Sequence, residues 1–201
     1  MRPKYLQSFF DIPFREYLTV GAMGSISFSA EQEAMVKEAW ELMKPNVEEL
    51  GLKMLSLGSN PLTWLRRFCC NVEARVGQML PEVAGMFYSF FLKDPNQTPQ
   101  NNPQLRSHVV KVFTMTCESA AQLRQKGKIV AVGSTLKKMA SIHLKKGVQE
   151  SHFEVIKAAF LKVVEEAVGE KWSEEMGTAW AEAHHQLATA IIAEMKIQSA
   201  N

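Results

Sequence analysis

All eight prolines of this 201-residue chain fall between Pro3 and Pro103, so the last 98 residues contain none. Proline is the strongest interruption a helix can suffer, because it has no amide proton and its ring clashes with the preceding turn. A proline-free half with no two-residue alternation predicts a run of helices and no sheet. Asn102 followed by Pro103 is a helix start, cap then first-turn proline. Leu105, Val109, Val112, Phe113, Thr116, Ala120 and Leu123 then return on one apolar face until Gly127. Ser134 is expected to cap a shorter helix that carries Leu136, Met139 and Ala140 and stops at Gly147. Ser151 with Glu154 reads as a capping box ahead of Phe153, Ile156, Phe160, Val163 and Val164. Ser173 opens a last helix whose inner face carries Trp180, Ala183, Leu187 and Ile191. Upstream, Ser29 with Gln32 boxes a helix through Met35, Val36, Ala39, Trp40 and Met43, and Asn46 with Glu49 begins another just after Pro45.

One segment resists both periods. From Ser56 to Leu80 the chain carries Gly58, Asn60 and Pro61, which are expected to break any helix, and the stretch reads as an insertion. A surface loop is its plain interpretation, and a peptide-binding or membrane-touching loop the sharper one. Residues 1–27 read as a poorly ordered extension ahead of a single domain over 28–201. The 46% apolar and 22% charged content suits one folded domain, and a net charge of +2 creates no broad positive field, so nucleic acid is not expected as a partner. No apolar run approaches the roughly 20 residues that cross a bilayer. Cys69, Cys70 and Cys117 are odd in number, two of them adjacent, unlike a secreted disulfide framework, which points to a cytoplasmic setting. The first 22 residues lack the core and cleavage site of a secretory signal, and a mitochondrial address is the alternative.

The informative residues are two histidines. Leu136, Met139, Ala140 and His143 share one helix face at i, i+3, i+4 and i+7, and Leu105, His108, Val109 and Val112 repeat that spacing on the long helix. Each imidazole therefore points where a core should be apolar. A buried polar group without a partner costs about 1–3 kcal/mol, so each ring needs a carbonyl, a hydroxyl, a metal or a ligand. For a single histidine the structural role is the commoner one, with metal ligation and acid–base work behind it. Two on separate helices, with apolar walls and no carboxylate on either stripe, suit a flat iron macrocycle better than a bare hard cation.

The runs FSAEQEAMVKEAW, NNPQLRSHVVKVFTMTCESAAQLRQKGK, STLKKMASIHLKKGV, SHFEVIKAAF, EKWSEEM and AIIAEMK together resemble the plant non-symbiotic haemoglobins, or phytoglobins, and most closely their class 2 branch. The resemblance implies an all-α globin fold, a 3-on-3 sandwich of about eight helices, holding one haem b per chain. It makes His143 the proximal iron ligand and His108 the distal, reversible ligand and the catalytic residue, with Val112 one turn further on. It places Phe87 against the haem, makes Met139, Val148 and Phe153 the proximal wall, sets Lys138 beside a propionate, and offers Ser89 as a weaker match. It further implies binding of dioxygen and nitric oxide, nitric oxide dioxygenation, reduction of nitrite to nitric oxide, a homodimer, and a cytoplasmic or also nuclear location.

The chain departs from the family around Ser56 to Leu80, which leaves the position of the distal phenylalanine to Leu55 or Glu73. His184 and His185 stand where the family has a tyrosine and an aspartate, and His184, one turn after Trp180, reads as structural. Two competing functions follow from the residues: a globin-shaped interaction protein that binds no haem, supported by the disrupted segment, and a zinc hydrolase using His108 and His143, which lacks a third ligand at recognisable spacing.

Overall fold

The structure, a computed structural model, describes residues 28–59, 90–91, 101–129 and 133–200. Six α-helices occur among them: α1 (Ala30–Met43), α2 (Val47–Ser59), α3 (Pro103–Lys126), α4 (Gly133–Lys145), α5 (Glu150–Val168) and α6 (Glu174–Ser199), with 3-10 turns at Lys44–Asn46 and Gly169–Lys171. No strand is found among the described residues.

Local chemistry sets most helix ends where the sequence puts them. Ser29 and Gln32 form a reciprocal box: the Gln32 amide donates to Ser29 Oγ at 3.1 Å and the Ser29 amide to Gln32 Oε1 at 2.8 Å. Asn102 Oδ1 accepts from the Leu105 amide at 2.9 Å ahead of Pro103, and Ser173 Oγ accepts from the Met176 amide at 3.1 Å. Gly127 ends α3 at φ 63°. Gly147, at φ 72°, lets the Gly147 and Val148 amides return to the carbonyls of Leu144 and His143 at 2.9 and 3.0 Å, a Schellman stop just after the histidine of α4.

Four expectations are corrected. The N-cap of α5 is Gln149, whose amide donates to His152 Nδ1 at 3.0 Å, so Ser151 lies inside the helix and its box with Glu154 does not form. Ser134 is the second residue of α4 and not its cap. Asn46 closes a 3-10 turn that runs straight into α2, so no separate capped start exists there. Gly58 does not break the chain either, because α2 continues through it to Ser59. An isolated glycine costs a helix only about 1 kcal/mol, which neighbouring packing readily offsets. The rest of the expected insertion, residues 60–80, and the extension over 1–27 lie outside the described residues.

Two layers result, α1, α3 and α4 against α2, α5 and α6, with α6 packing on α1, α3, α4 and α5, and α2 clasped between α3 and α5. Phe113, Phe160 and Trp180 are fully buried between them, the Phe160 ring lying 4.7 Å from Phe113 and 5.5 Å from Trp180. The tightest crossing is that of α2 and α3 at Gly51, where an added Cβ would lie 2.3 Å from Val109 Cβ. Val109 is β-branched and attached at its backbone, so it cannot yield. Gly51→Ala is therefore expected to push α3 outward and cost about 1–3 kcal/mol, read as a lower thermal midpoint. Val109→Ala in the same chain should recover only part of that loss, because it removes the two methyl groups but keeps the Cβ that lies 2.3 Å from the new one.

Candidate functional site

Helices α3 and α4 lie in the same layer yet barely touch, and the two histidines face each other across the space between them. The His108 and His143 ring centres are 6.4 Å apart with planes at 58°. A metal bound by two imidazole nitrogens in line, each at about 2.0 Å, would hold the ring centres about 6.2 Å apart once roughly 1.1 Å from nitrogen to ring centre is added on each side. The gap thus has the width for one ion between two imidazoles.

Each ring is held from its own side. His143 Nδ1 donates to the Met139 carbonyl at 2.8 Å, one turn back on α4. A carbonyl can only accept, so Nδ1 carries the proton and Nε2 keeps a free lone pair. The Phe153 ring stacks on His143 at 5.5 Å and 29°. His108 makes no hydrogen bond among the described residues, but the Phe91 ring packs on it at 5.0 Å. Phe91 is itself tied down: its carbonyl accepts from Asn102 Nδ2 at 3.2 Å, while the Lys146 ammonium donates to the Phe90 carbonyl and stands 5.9 Å from the Phe91 ring centre.

Burial decides the charge state of both rings. It holds His108 down to about 4, with His143 and then Lys111 adding to the effect. It also lowers His143, against the opposing pull of the Met139 hydrogen bond. Both imidazoles are neutral at pH 7 and able to offer a lone pair. Their surroundings are apolar: Ala140, Leu187, Ile191 and Met195 form a buried cluster, with Met115, Leu136, Met139, Leu144 and Phe153 packed against it.

The other expected residues fall as follows. Val112 is half-buried one turn beyond His108 and packs on the main core, Val148 is half-buried just past α4, and Lys138 is exposed. Leu55 is buried in the main core, which suits an apolar pocket position, whereas Glu73, Phe87 and Ser89 lie outside the described residues. No group of three or more metal-ligating side chains occurs among the described residues, so the third ligand that a zinc hydrolase needs is not found there. Two contributors escaped the sequence: Phe91, and His152, which is buried beside Phe90 at 5.9 Å. The Phe90-Phe91 pair so soon after Phe87 was the available signal for the first.

A further histidine is structural. His184 is buried against Phe160 at 5.2 Å, and its Nδ1 has no partner among the described residues. Burial pushes it down to about 3, with Lys157 and His185 adding to the shift. Its folded value lies below the ordinary 6.5, so the unfolded chain takes up the proton first. Stability is full above about pH 6.5 and falls as pH drops toward 3, by on the order of 3 kcal/mol between pH 7 and pH 4. His184→Phe is expected to flatten that acid limb of the melting-temperature profile; an unchanged limb would place the sensitivity elsewhere.

Comparison with known proteins agrees with this geometry. The globin family profile matches residues 79–191. The chain is 46% identical over 175 residues to a tomato (Solanum lycopersicum) protein named as an anaerobic nitrite reductase, covering 87% of this chain and 99% of that one. It is 45% identical over 172 residues to a Gossypium hirsutum protein of the same name, covering 85% and 96%. It is 42% identical over 174 residues to an Arabidopsis thaliana protein likewise named as an anaerobic nitrite reductase, covering 87% and 98%. With a helical sandwich, facing imidazoles and full-length relatives of this kind, the chain belongs to the globin family of haem proteins.

Proposed function

We propose that this globin binds one haem b per chain between His143 and His108 and uses it to bind dioxygen and nitric oxide and to reduce nitrite to nitric oxide when oxygen is scarce. The observation that carries this is the 6.4 Å separation of two neutral imidazoles, one with its Nδ1 already committed to the Met139 carbonyl. When bound, the haem supplies the iron that holds the small ligand and exchanges one electron with it, converting nitrite and two protons into nitric oxide and water, or nitric oxide and dioxygen into nitrate. The rest is the work of this chain's side chains.

His143 would hold the haem iron through Nε2, and its bond to Met139 keeps the ring in the tautomer that presents that nitrogen and makes it a stronger donor. Phe153, Met139 and Val148 shape the wall behind it. His108 is the reversible occupant of the opposite side. It would either bind the iron itself or turn aside and donate its ring N–H as a hydrogen bond to the ligand, in a pocket with apolar walls. Val112, one turn on, narrows the space beside it. Lys138, exposed on α4, is the side chain assigned to a propionate. The homodimer and the cytoplasmic and nuclear location belong to the same proposal.

The deciding measurement is the absorption spectrum of purified, haem-reconstituted protein, ferric and ferrous, together with nitric oxide formation from nitrite under anaerobic reduction. A six-coordinate low-spin spectrum and nitrite-dependent nitric oxide release are expected. Failure to form a Soret band after haem addition would favour the competing function, a globin-shaped interaction protein.

A further inference from the structure

The cationic side chains of this chain are segregated. No aspartate or glutamate occurs between Glu118 and Glu150, while that stretch holds seven lysine and arginine residues, leaving 16 cations against 21 anions in the rest of the chain. Outside that stretch Lys37, Lys53, Lys157, Lys162, Lys171 and Lys196 each pair with a glutamate. On α4 they are not. Lys137, Lys138 and Lys145 are exposed and have no acidic partner among the described residues. Lys138, Ile142 and Lys145 stand at i, i+4 and i+7 and so form one outward stripe, in which Ile142 is 49% exposed. An apolar centre rimmed by unpaired charge is the make-up of a small, transient protein interface.

We propose that this outer face of α4 docks an acidic protein that carries a one-electron centre. The proposal rests on the function proposed above, since both reactions consume one electron per turnover. The docking helix is the one that carries His143, so a partner on its outer face stands about one helix diameter, about 10–12 Å, from that ring. Docking is followed by a single transfer: the partner's reduced centre is oxidised by one electron and ferric iron becomes ferrous, with no bond made or broken and no proton moved. The charge pattern favours a compact acidic protein over an anionic bilayer or a nucleic acid. The patch is one helix face, and the net negative charge of the rest of the chain repels a polyanion that extends beyond it.

The test titrates the full chain with an acidic [2Fe–2S] ferredoxin, following binding by calorimetry, and separately times reduction of ferric protein by the reduced ferredoxin. Lys145→Glu is compared with Lys171→Glu, a control of identical charge change away from α4. Expected are at least a tenfold weaker association and a matching slowing of reduction in the α4 variant, less than threefold change in the control, and affinity that falls as salt rises. Thermal melts check that both variants fold. Equal weakening in the two variants, or no ferredoxin binding at low salt, would overturn the proposal. So would α4-dependent binding to phosphatidylserine vesicles or DNA in place of ferredoxin. Loss of the haem reading is separable, because it shows as a missing Soret band while the calorimetric binding persists.

Discussion

His143→Leu is expected to give a folded chain that no longer retains haem, with the Soret band lost on gel filtration and haem affinity lowered by more than about 100-fold. The expectation follows from how His143 is built in. Its Nδ1 is held by the Met139 carbonyl at 2.8 Å and its ring is backed by Phe153 at 5.5 Å. Removing a group that merely supports a metal ligand already costs about 10–100-fold, so removing the ligand itself costs more. The scaffold should survive, because leucine fills much the same space beside buried Ala140 and removes a polar ring that burial penalises. The far-UV circular dichroism of the variant should therefore match the parent, which separates loss of the cofactor from loss of the fold. A variant that kept haem at full occupancy with an unchanged spectrum would refute the role given to His143.

His108→Leu should have the next largest effect and the opposite character: haem retained, sixth position opened. The reconstituted variant is expected to change from a low-spin six-coordinate to a high-spin five-coordinate spectrum, and to release bound dioxygen faster. A hydrogen bond of the strongly polarised kind is worth about 1.5–3 kcal/mol, which corresponds to roughly 10- to 150-fold in ligand retention. Nitric oxide formation from nitrite should fall as well, since the pocket loses the imidazole N–H that would hold nitrite by a hydrogen bond. A variant that remained six-coordinate would show that some other side chain reaches the iron. Phe91 tests the same point from outside the gap: it packs on His108 at 5.0 Å, so Phe91→Ala should shift the spectrum part of the way in the same direction while leaving haem affinity unchanged.

Helix ends show clearly where a sequence speaks for itself. Ser29, Asn102, Ser173, Gly127 and Gly147 act on neighbours within five residues, through single hydrogen bonds or one backbone angle, and each behaves as its local context predicts. Ser151 fails because Gln149, two residues earlier, provides a competing cap together with His152, and which of the two wins depends on how α5 enters the core. Gly58 fails for a related reason: helix propensity is a small quantity, and the packing of α2 between α3 and α5 outweighs it.

By itself the sequence determined that the chain is helical, where most helices begin and end, and that His108 and His143 project from apolar stripes. These follow from a 3.6-residue period and from contacts short along the chain. Only the tertiary structure decided that those stripes face each other with the rings 6.4 Å apart, that Phe91 and Lys146 brace the distal side, and that Gly51 sets how closely α2 approaches α3. Such distances depend on how whole helices cross, and a crossing is the joint outcome of every side chain in both surfaces, which no single local pattern encodes.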